Sequence, residues 1–348
     1  MNRRGAARRP VTIVDVARRA GVSKSTVSNV LHDRPVRAAL RDRVETAIAE
    51  LGYAPSAVAQ GLARRGTHTL GVLVPRLENP FYADILGGIE EAAGARGYQL
   101  LIASTDAVGR TESQAVGSLL SYRPAGYLLC GMRDASVAAR LAARDLPLVV
   151  VDSHEAPPEA ARIVIDDYVG MRLAVGHLVS LGHRRIAAVI DSDVDPGRHR
   201  RLAGYVDALR EAGIEPDDAL RVPDLRSPGS AEPAPRPAVV DRLLESSDPA
   251  TAVVAGDDLA AIGLIDTLEA RGIRVPTQMS VVGFDDIPWA RVSRIGLTTV
   301  RQPARVIGSE ATGALIDHLT GDSNLPLSHF RQLVQPELVI RSTTAPPP

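Results

Sequence analysis

Cysteine is nearly missing from this chain. Its 348 residues contain one, Cys130, so neither an intrachain disulfide framework nor a cysteine metal cluster can form. Cys130 ends the run Gly126-Tyr127-Leu128-Leu129, which reads as a buried strand and favours an inert thiol over a nucleophile. Long apolar runs are missing too: nothing approaches the roughly 18 to 20 apolar residues of a membrane span. The basic start, Met1-Asn2-Arg3-Arg4-Gly5, leads into no apolar segment, so no secretory signal is expected and a cytoplasmic location fits. There is no G-x-x-x-x-G-K-[ST] phosphate loop, no G-x-G-x-x-G after a strand and no G-x-S-x-G elbow; no catalytic residue and no cofactor is expected. His177 and His183 have no cysteine or partner histidine at metal-ligand spacing, so no zinc site is expected. After Arg341 only Ser342 to Pro348 follow, without a heptad repeat; the expected unit is a dimer rather than a coiled-coil tetramer.

Lysine is scarce as well. Lys24 is the only one among forty basic side chains. The formal net charge of −1 hides an asymmetry: residues 1–68 hold thirteen Arg or Lys against five Asp or Glu, a net of +8, which leaves −9 for the remainder. A basic small unit joined to an acidic larger one suits a phosphate-binding head on a body that avoids polyanions. The length suggests two or three compact units, and 45% apolar residues suffice for sizeable cores.

What is present begins with Val11 to Leu31, two short helices with a glycine at the corner. Thr12 is a suitable N-cap and Asp15 adds negative charge in the first turn. Val16, Ala17 and Ala20 share one face, and Gly21 permits the left-handed stop. Ser23 caps the second helix, with Val22 and Val27 placed as a hydrophobic staple. Val27, Val30 and Leu31 point inward; Lys24, Ser25, Ser28, Asn29 and His32 form the opposite, polar stripe. A solvated helical hairpin would share this pattern, but such a stripe is also what reading base edges in a major groove requires. Pro35 precedes a third helix over 38–51, with Leu40, Val44, Ala47, Ile48 and Leu51 as its buried face and Gly52 as its stop.

VTIVDVARRAGVSKSTVSNVL resembles the DNA-binding headpiece of the lactose-repressor (LacI/GalR) family of bacterial transcription regulators. The resemblance implies an all-α helix-turn-helix head over 11–52, with Thr12, Ser23, Lys24, Ser25, Thr26, Ser28, Asn29 and His32 as DNA-binding positions. It also marks departures: Arg37 and Leu40 stand where the family usually has a capping serine and a threonine. Residues 53–66, bracketed by Pro55 and Gly66, read alone as a linker too short for a stable lone helix. The resemblance makes 53–68 a hinge that turns helical on DNA, pairs with its dimer mate and wedges Leu62 into the minor groove, Ala59 making a second contact. Arg64 is assigned to phosphate. Ser56 replaces the usual asparagine, and Gly61 lowers helix propensity by about 1 kcal/mol relative to alanine.

From Thr69 the pattern alternates between β and α. Strands are predicted at 70–74, 99–103, 126–130, 148–151, 163–165, 186–190, 252–255 and 280–283, with helices that include 81–96, 112–121, 168–181, 201–212, 237–244 and 259–271. Alternation of this kind argues for doubly wound parallel sheets. So many strands suggest two sheets, with a crossover near Val164 and returns near Thr299 and Leu333. The Pro-rich interval 222–237 reads as a surface loop. The resemblance extends here, implying an α/β two-lobed periplasmic-binding-protein-like core over 69–348, with an effector cleft between the lobes.

Ligands of open α/β sheets sit beyond the carboxyl ends of strands. Those ends carry Pro75 with Asn79, Pro80 and Phe81, then Asp106, Asp152 and Asp191, then Asp257 with Asp258, and Phe284 with Asp285 and Asp286. Arg201 opens a helix facing the same edge. One arginine fork, several carboxylates and an aromatic face suit a sugar or related polyol, although each aspartate could equally be a helix cap. The family resemblance implies an effector role for Arg201, Asp285 and Asp152, and marks Asp257 as standing where asparagine is usual. The expected function is therefore a dimeric, effector-gated DNA-binding regulator, with repression favoured over activation, acting on a pseudo-palindromic operator. Expected partners are double-stranded operator DNA, a small-molecule effector and a second copy, with no membrane. A sugar-modifying enzyme fused to a DNA-binding head is the alternative.

Overall fold

The computed structural model describes residues 11–31, 34–53, 67–105, 111–157, 160–190, 196–223, 237–245 and 248–348. They form two units that divide between Thr67 and His68. The expectations for His32, Ser56, Ala59, Gly61, Leu62, Arg64, Asp106 and Asp191 lie outside the described residues.

The first unit is helical. Thr12 opens α1 (Ile13–Ala20) with a capping box, its hydroxyl donating to Asp15 Oδ2 at 2.6 Å and its backbone N–H reaching the same oxygen at 2.9 Å. Gly21 ends the helix at φ 65°, ψ 39°. A Cβ there would collide with the Arg43 guanidinium, which donates to the Ala20 carbonyl at 2.6 Å. The turn is thus clamped from the third helix. Ser23 caps α2 (Lys24–Leu31), its hydroxyl accepting from the Thr26 N–H at 3.1 Å. In α3 (Ala38–Leu51), Val44 and Ala47 pack with Val16, Val27 and Val30 into one small core. The start of α3 is the departure: Arg37 sits at its N-cap without a side-chain capping hydrogen bond. Leu40 is only half-buried and outside the core, where Val36 packs instead.

The second unit holds two six-stranded sheets. The first takes β1 (Thr69–Val74), β2 (Gln99–Ser104), β3 (Gly126–Cys130), β4 (Leu148–Val151), β5 (Ala161–Ile165) and, much later, β11 (Arg331–Val334), in spatial order β11-β5-β4-β3-β1-β2, all parallel. The second takes β6 (Ile186–Val189), β7 (Arg221–Val222), β8 (Ala252–Ala255), β9 (Ser280–Asp285), β10 (Thr298–Arg301) and β12 (Glu337–Val339), ordered β12-β10-β9-β8-β6-β7. Its edge strand β12 runs antiparallel to β10.

Strand alternation divides the side chains between two covered faces. Leu70, Val72 and Val74 pack against α4 (Pro80–Ala95) and α11 (Ala304–Thr320), through Ile85, Ile89, Ile307 and Leu315. Leu73 and Leu129 face α5 (Glu112–Ser121) and α6 (Ala135–Ala142). In the second sheet Ile186, Val282 and Phe284 meet α7 (Asp167–Ser180) and α8 (Pro196–Glu211). Val189 and Val253 meet α9 (Pro237–Leu244) and α10 (Asp258–Ala270). Each sheet with its helices is one lobe. The chain crosses between them after β5, after β10 and after β11, as the sequence suggests. Helix α8 starts at Pro196 rather than at 201, since proline fits a first helical turn whose N–H groups lack partners anyway. Among the described residues no helix is long and apolar enough to cross a membrane.

Candidate functional site

Helix α2 exposes Lys24 and Ser25 to solvent, while Thr26, Ser28 and Asn29 are half-buried on its flank. Val27 and Val30 anchor the opposite side in the small core. Ser23 Oγ lies 2.7 Å from Ser25 Oγ and 2.9 Å from Thr26 Oγ1, so the start of the helix carries a cluster of hydroxyls beside one ammonium. That surface offers both donors and acceptors, the chemistry of base-edge and phosphate contact.

In the second unit, the strand ends converge on Arg201. It is 9% exposed. Its Nε donates to Asp167 Oδ1 at 2.7 Å and its Nη1 to the Gly256 carbonyl at 2.5 Å, with Asp285 Oδ1 at 4.0 Å. Its guanidinium lies 3.7 Å from the centre of the Phe284 ring, a desolvated cation–π contact. Burial disfavours its charge, but Asp167, Asp285 and Asp152 together hold its pKa above the ordinary value. Asp152 belongs to the first lobe, and accepts from Tyr82 Oη at 3.4 Å. Charges of both lobes therefore act on one guanidinium.

Asp285 is raised to about 7, by burial first and by Asp257, against the opposing pull of Arg201. Gln302 Nε2 donates to its Oδ1 at 2.6 Å, while Gln302 Oε1 is buried with no hydrogen-bond partner among the described residues. Asp258 is fully buried and pushed up by burial and then by Asp285. It accepts from Thr299 Oγ1 at 2.5 Å and from the Ile287 N–H at 2.9 Å. Asp167 is also buried, yet the charge of Arg201 and the His154 contact at 2.9 Å keep its pKa below the usual value. Asp152, Asp285 and Asp286 have φ of 53°, 120° and 57°. Such backbone costs of order 1–3 kcal/mol per residue and gathers at functional sites.

The sequence-predicted residues are placed unevenly. Arg201, Asp285, Asp152 and Asp257 fall together; Asp257 caps α10 through the Ala260 N–H at 2.8 Å and also pairs with Arg198 at 2.7 Å. It is cap and ion-pair partner at once. Phe284 is fully buried beneath Arg201, so it braces the arginine instead of offering a face to a sugar. Phe81 is 4% exposed and part of the first lobe's core. Its neighbour Tyr82 is the aromatic that reaches Asp152. Pro75 is buried with its carbonyl accepting from Ser104 and Thr105 hydroxyls. Asp286 receives Arg301 at 2.7 Å and Arg341 at 2.5 Å, a structural clamp. Asp167, His154, Arg198 and Gln302 were missed. Asp167 lies just past β5, where the strand-end rule would have found it, whereas Gln302 follows β10, a strand not read from sequence. His183 bonds Thr251 Oγ1 at 2.8 Å and the Ala345 carbonyl at 2.8 Å, anchoring the C-terminal segment. Cys130 is buried, which pushes its thiol pKa up.

A capped helix-turn-helix with a polar second helix, on a chain whose other unit has two parallel-sheet lobes, defines a DNA-binding regulator with a periplasmic-binding-protein-like body. Residues 12–56 match the family "Bacterial regulatory proteins, lacI family", and residues 175–344 match "Periplasmic binding protein-like domain". The chain belongs to the LacI family, whose members are transcription regulators and not enzymes. It is 33% identical over 338 residues to the HTH-type transcriptional repressor CytR of Escherichia coli K12, covering 96% of each chain. The Lac repressor dimer bound to operator and the anti-inducer ONPF superimposes with a TM-score of 0.80 at 28% identity, over 97% of this chain and all of that one. The transcriptional regulator CelR–cellobiose complex matches with a TM-score of 0.69 at 31% identity, over 96% of this chain and all of that one.

Proposed function

We propose that this regulator is a cytoplasmic, homodimeric repressor, holding a pseudo-palindromic operator with two heads and released or recruited by a small polyhydroxylated effector. The head spans 11–52, the hinge 53–68 and the effector-binding and dimerisation body 69–348. Lys24, Ser25 and Asn29 read base edges, with Thr12, Ser23, Thr26, Ser28 and His32 alongside, and Ala59, Leu62 and Arg64 serve the minor groove and backbone. A two-fold dimer imposes a two-fold operator.

The observation that carries this reading is the convergence of carboxylates from both lobes on one buried arginine. Asp152 of one lobe and Asp285 of the other favour the charge of Arg201, and Asp257 raises Asp285. Carboxylates accept from hydroxyls, the arginine fork donates, and the orphaned Gln302 Oε1 is a further acceptor for a hydroxyl. The Lac repressor structure with ONPF and the CelR structure with cellobiose belong to proteins of the same fold. A ligand touching both lobes would alter their angle and shift the balance between DNA-competent and incompetent states. The test is a thermal-shift screen of sugars, nucleosides and amino sugars, followed by operator binding by fluorescence anisotropy with each ligand found. A hit that stabilises the protein and changes operator affinity supports the reading; ligands that stabilise without touching operator affinity sink it.

A further inference from the structure

Beside the crossover from β5 to α7 lies a pocket of about 390 Å³ whose walls include His154, Arg162, Val164, Arg200, Arg331 and Leu333. Arg162 and Arg331 occupy paired positions of adjacent parallel strands, as do Val164 and Leu333. Both arginines therefore project from one face of the sheet, side by side, and like charges so placed repel. Among the described residues no carboxylate lies within ion-pair distance of either, and the hydrogen bond found for Arg331 runs from Nε to the Ser328 carbonyl at 3.1 Å. The third arginine, Arg200, comes from the other lobe. Among the described residues its nearest carboxylate is Asp166 at 3.8 Å, whose oxygen already caps α7 by accepting from the Val169 N–H. The apolar part of its lining is Val164, 7% exposed, and Leu333, 52% exposed.

We propose that this pocket is an anion-binding site, separate from the effector cleft, for a small dianion of the phosphate-monoester type. Guanidinium forks match the geometry of phosphate oxygens, and three of them exceed what the one carboxylate found beside them among the described residues can neutralise. A bound dianion removes the repulsion between Arg162 and Arg331. It also ties the lobes together, because Arg200 reaches it from α8 while Arg162 and Arg331 reach it from the first sheet. His154 connects the pocket to the cleft, since its Nε2 contacts the Asp167 carboxylate that holds Arg201. The site is thus placed to set how readily the lobes rotate about an effector.

The probe is inorganic phosphate on the full-length protein without effector or DNA, at constant ionic strength made up with chloride. Equilibrium dialysis should give one saturable site per chain, and the thermal midpoint should rise with the same saturation. Arg162→Gln and Arg331→Gln should each weaken binding by about tenfold or more. Arg162→Lys, which keeps the charge and loses the fork, should fall between. Arg294→Gln, at an exposed position outside this pocket, should bind as the parent does. Should Arg162→Gln fail to fold, Arg331→Gln on the exposed edge strand decides the matter alone. Phosphate binding that does not saturate, or that is equal in parent and both glutamine variants, overturns the assignment.

Discussion

Asp285 shows what burial does to a single carboxylate. Its pKa of about 7 when folded stands above the ordinary carboxylate range. Between that range and 7 the folded chain binds more protons than the unfolded one, so this residue's contribution to stability is present at acid pH and lost as pH rises through its folded pKa. The effect is on the order of a few kcal/mol at most, because Arg201 and Gln302 favour the charged form. Asp258, pushed up by burial and by Asp285, adds to the same slope. Asp285→Asn should flatten the fall in thermal midpoint between pH 5 and pH 8 and raise the midpoint most at the alkaline end. Differential scanning calorimetry across that interval checks it; a variant with the parent's slope would mean that Asp285 titrates normally. Arg201 calls for a different substitution. Alanine there would strand Asp167 and Asp285 in a buried site, a loss of about 3–5 kcal/mol, so a lost effector response would be confounded with misfolding. Lysine keeps the charge and is the cleaner probe of the fork.

Among the elements, the α1–α2 corner is the one whose sequence determines its geometry most directly. Gly21→Ala places a side chain at φ 65° and against the Arg43 guanidinium. The head should lose about 1 kcal/mol or more from backbone strain alone, with the body's own transition unmoved. Two-wavelength thermal melts of the full chain would separate them, and an unchanged head transition would rule out the clamp. Ser25→Ala and Asn29→Ala should leave that transition intact and instead alter operator preference by roughly 1–3 kcal/mol per lost base contact. A randomised-site selection in which both keep the parent's preference would remove them from base readout. The legibility of the elements followed their signals. Caps and glycine stops marked α1 to α3, and apolar strand runs marked most of both sheets. Strands β7, β10, β11 and β12 were not read because Arg221, Thr298, Thr299, Arg331, Gln332 and Glu337 carry little apolar signal; they are fixed by pairing with distant chain segments. Gln302 was lost with β10. Helix α11 went unread although it is long. Its packing on α4 rests on Gly88 and Gly308, where an added Cβ would strike the facing helix backbone, and glycine reads from sequence as a breaker.

At the scale of the whole second unit, three chain crossings join two lobes that each carry part of one charged cluster. Removing a contact on either side should therefore silence the same response. Asp152→Ala in the first lobe and Asp285→Ala in the second should each weaken effector action by about tenfold or more, from an unpaired polar group in a desolvated site. Operator affinity without effector should stay with the parent, since neither residue lies in the head. Asp257→Asn should behave differently from both. Asparagine caps helices as well as aspartate does, so α10 should hold. The exchange removes the partner of Arg198 and one of the charges that raise Asp285. It also replaces an acceptor-only carboxylate with a group that donates, which widens the ligands the cleft can satisfy. The expected outcome is an intact regulator whose effector preference moves toward sugars that the parent ignores. Anisotropy titrations of operator DNA against one panel of sugars, run on parent and variant side by side, provide the measurement. If Asp257→Asn answers to the parent's ligands with the parent's sensitivity and to no others, Asp257 is a helix cap and the ion-pair partner of Arg198 and has no part in choosing the effector.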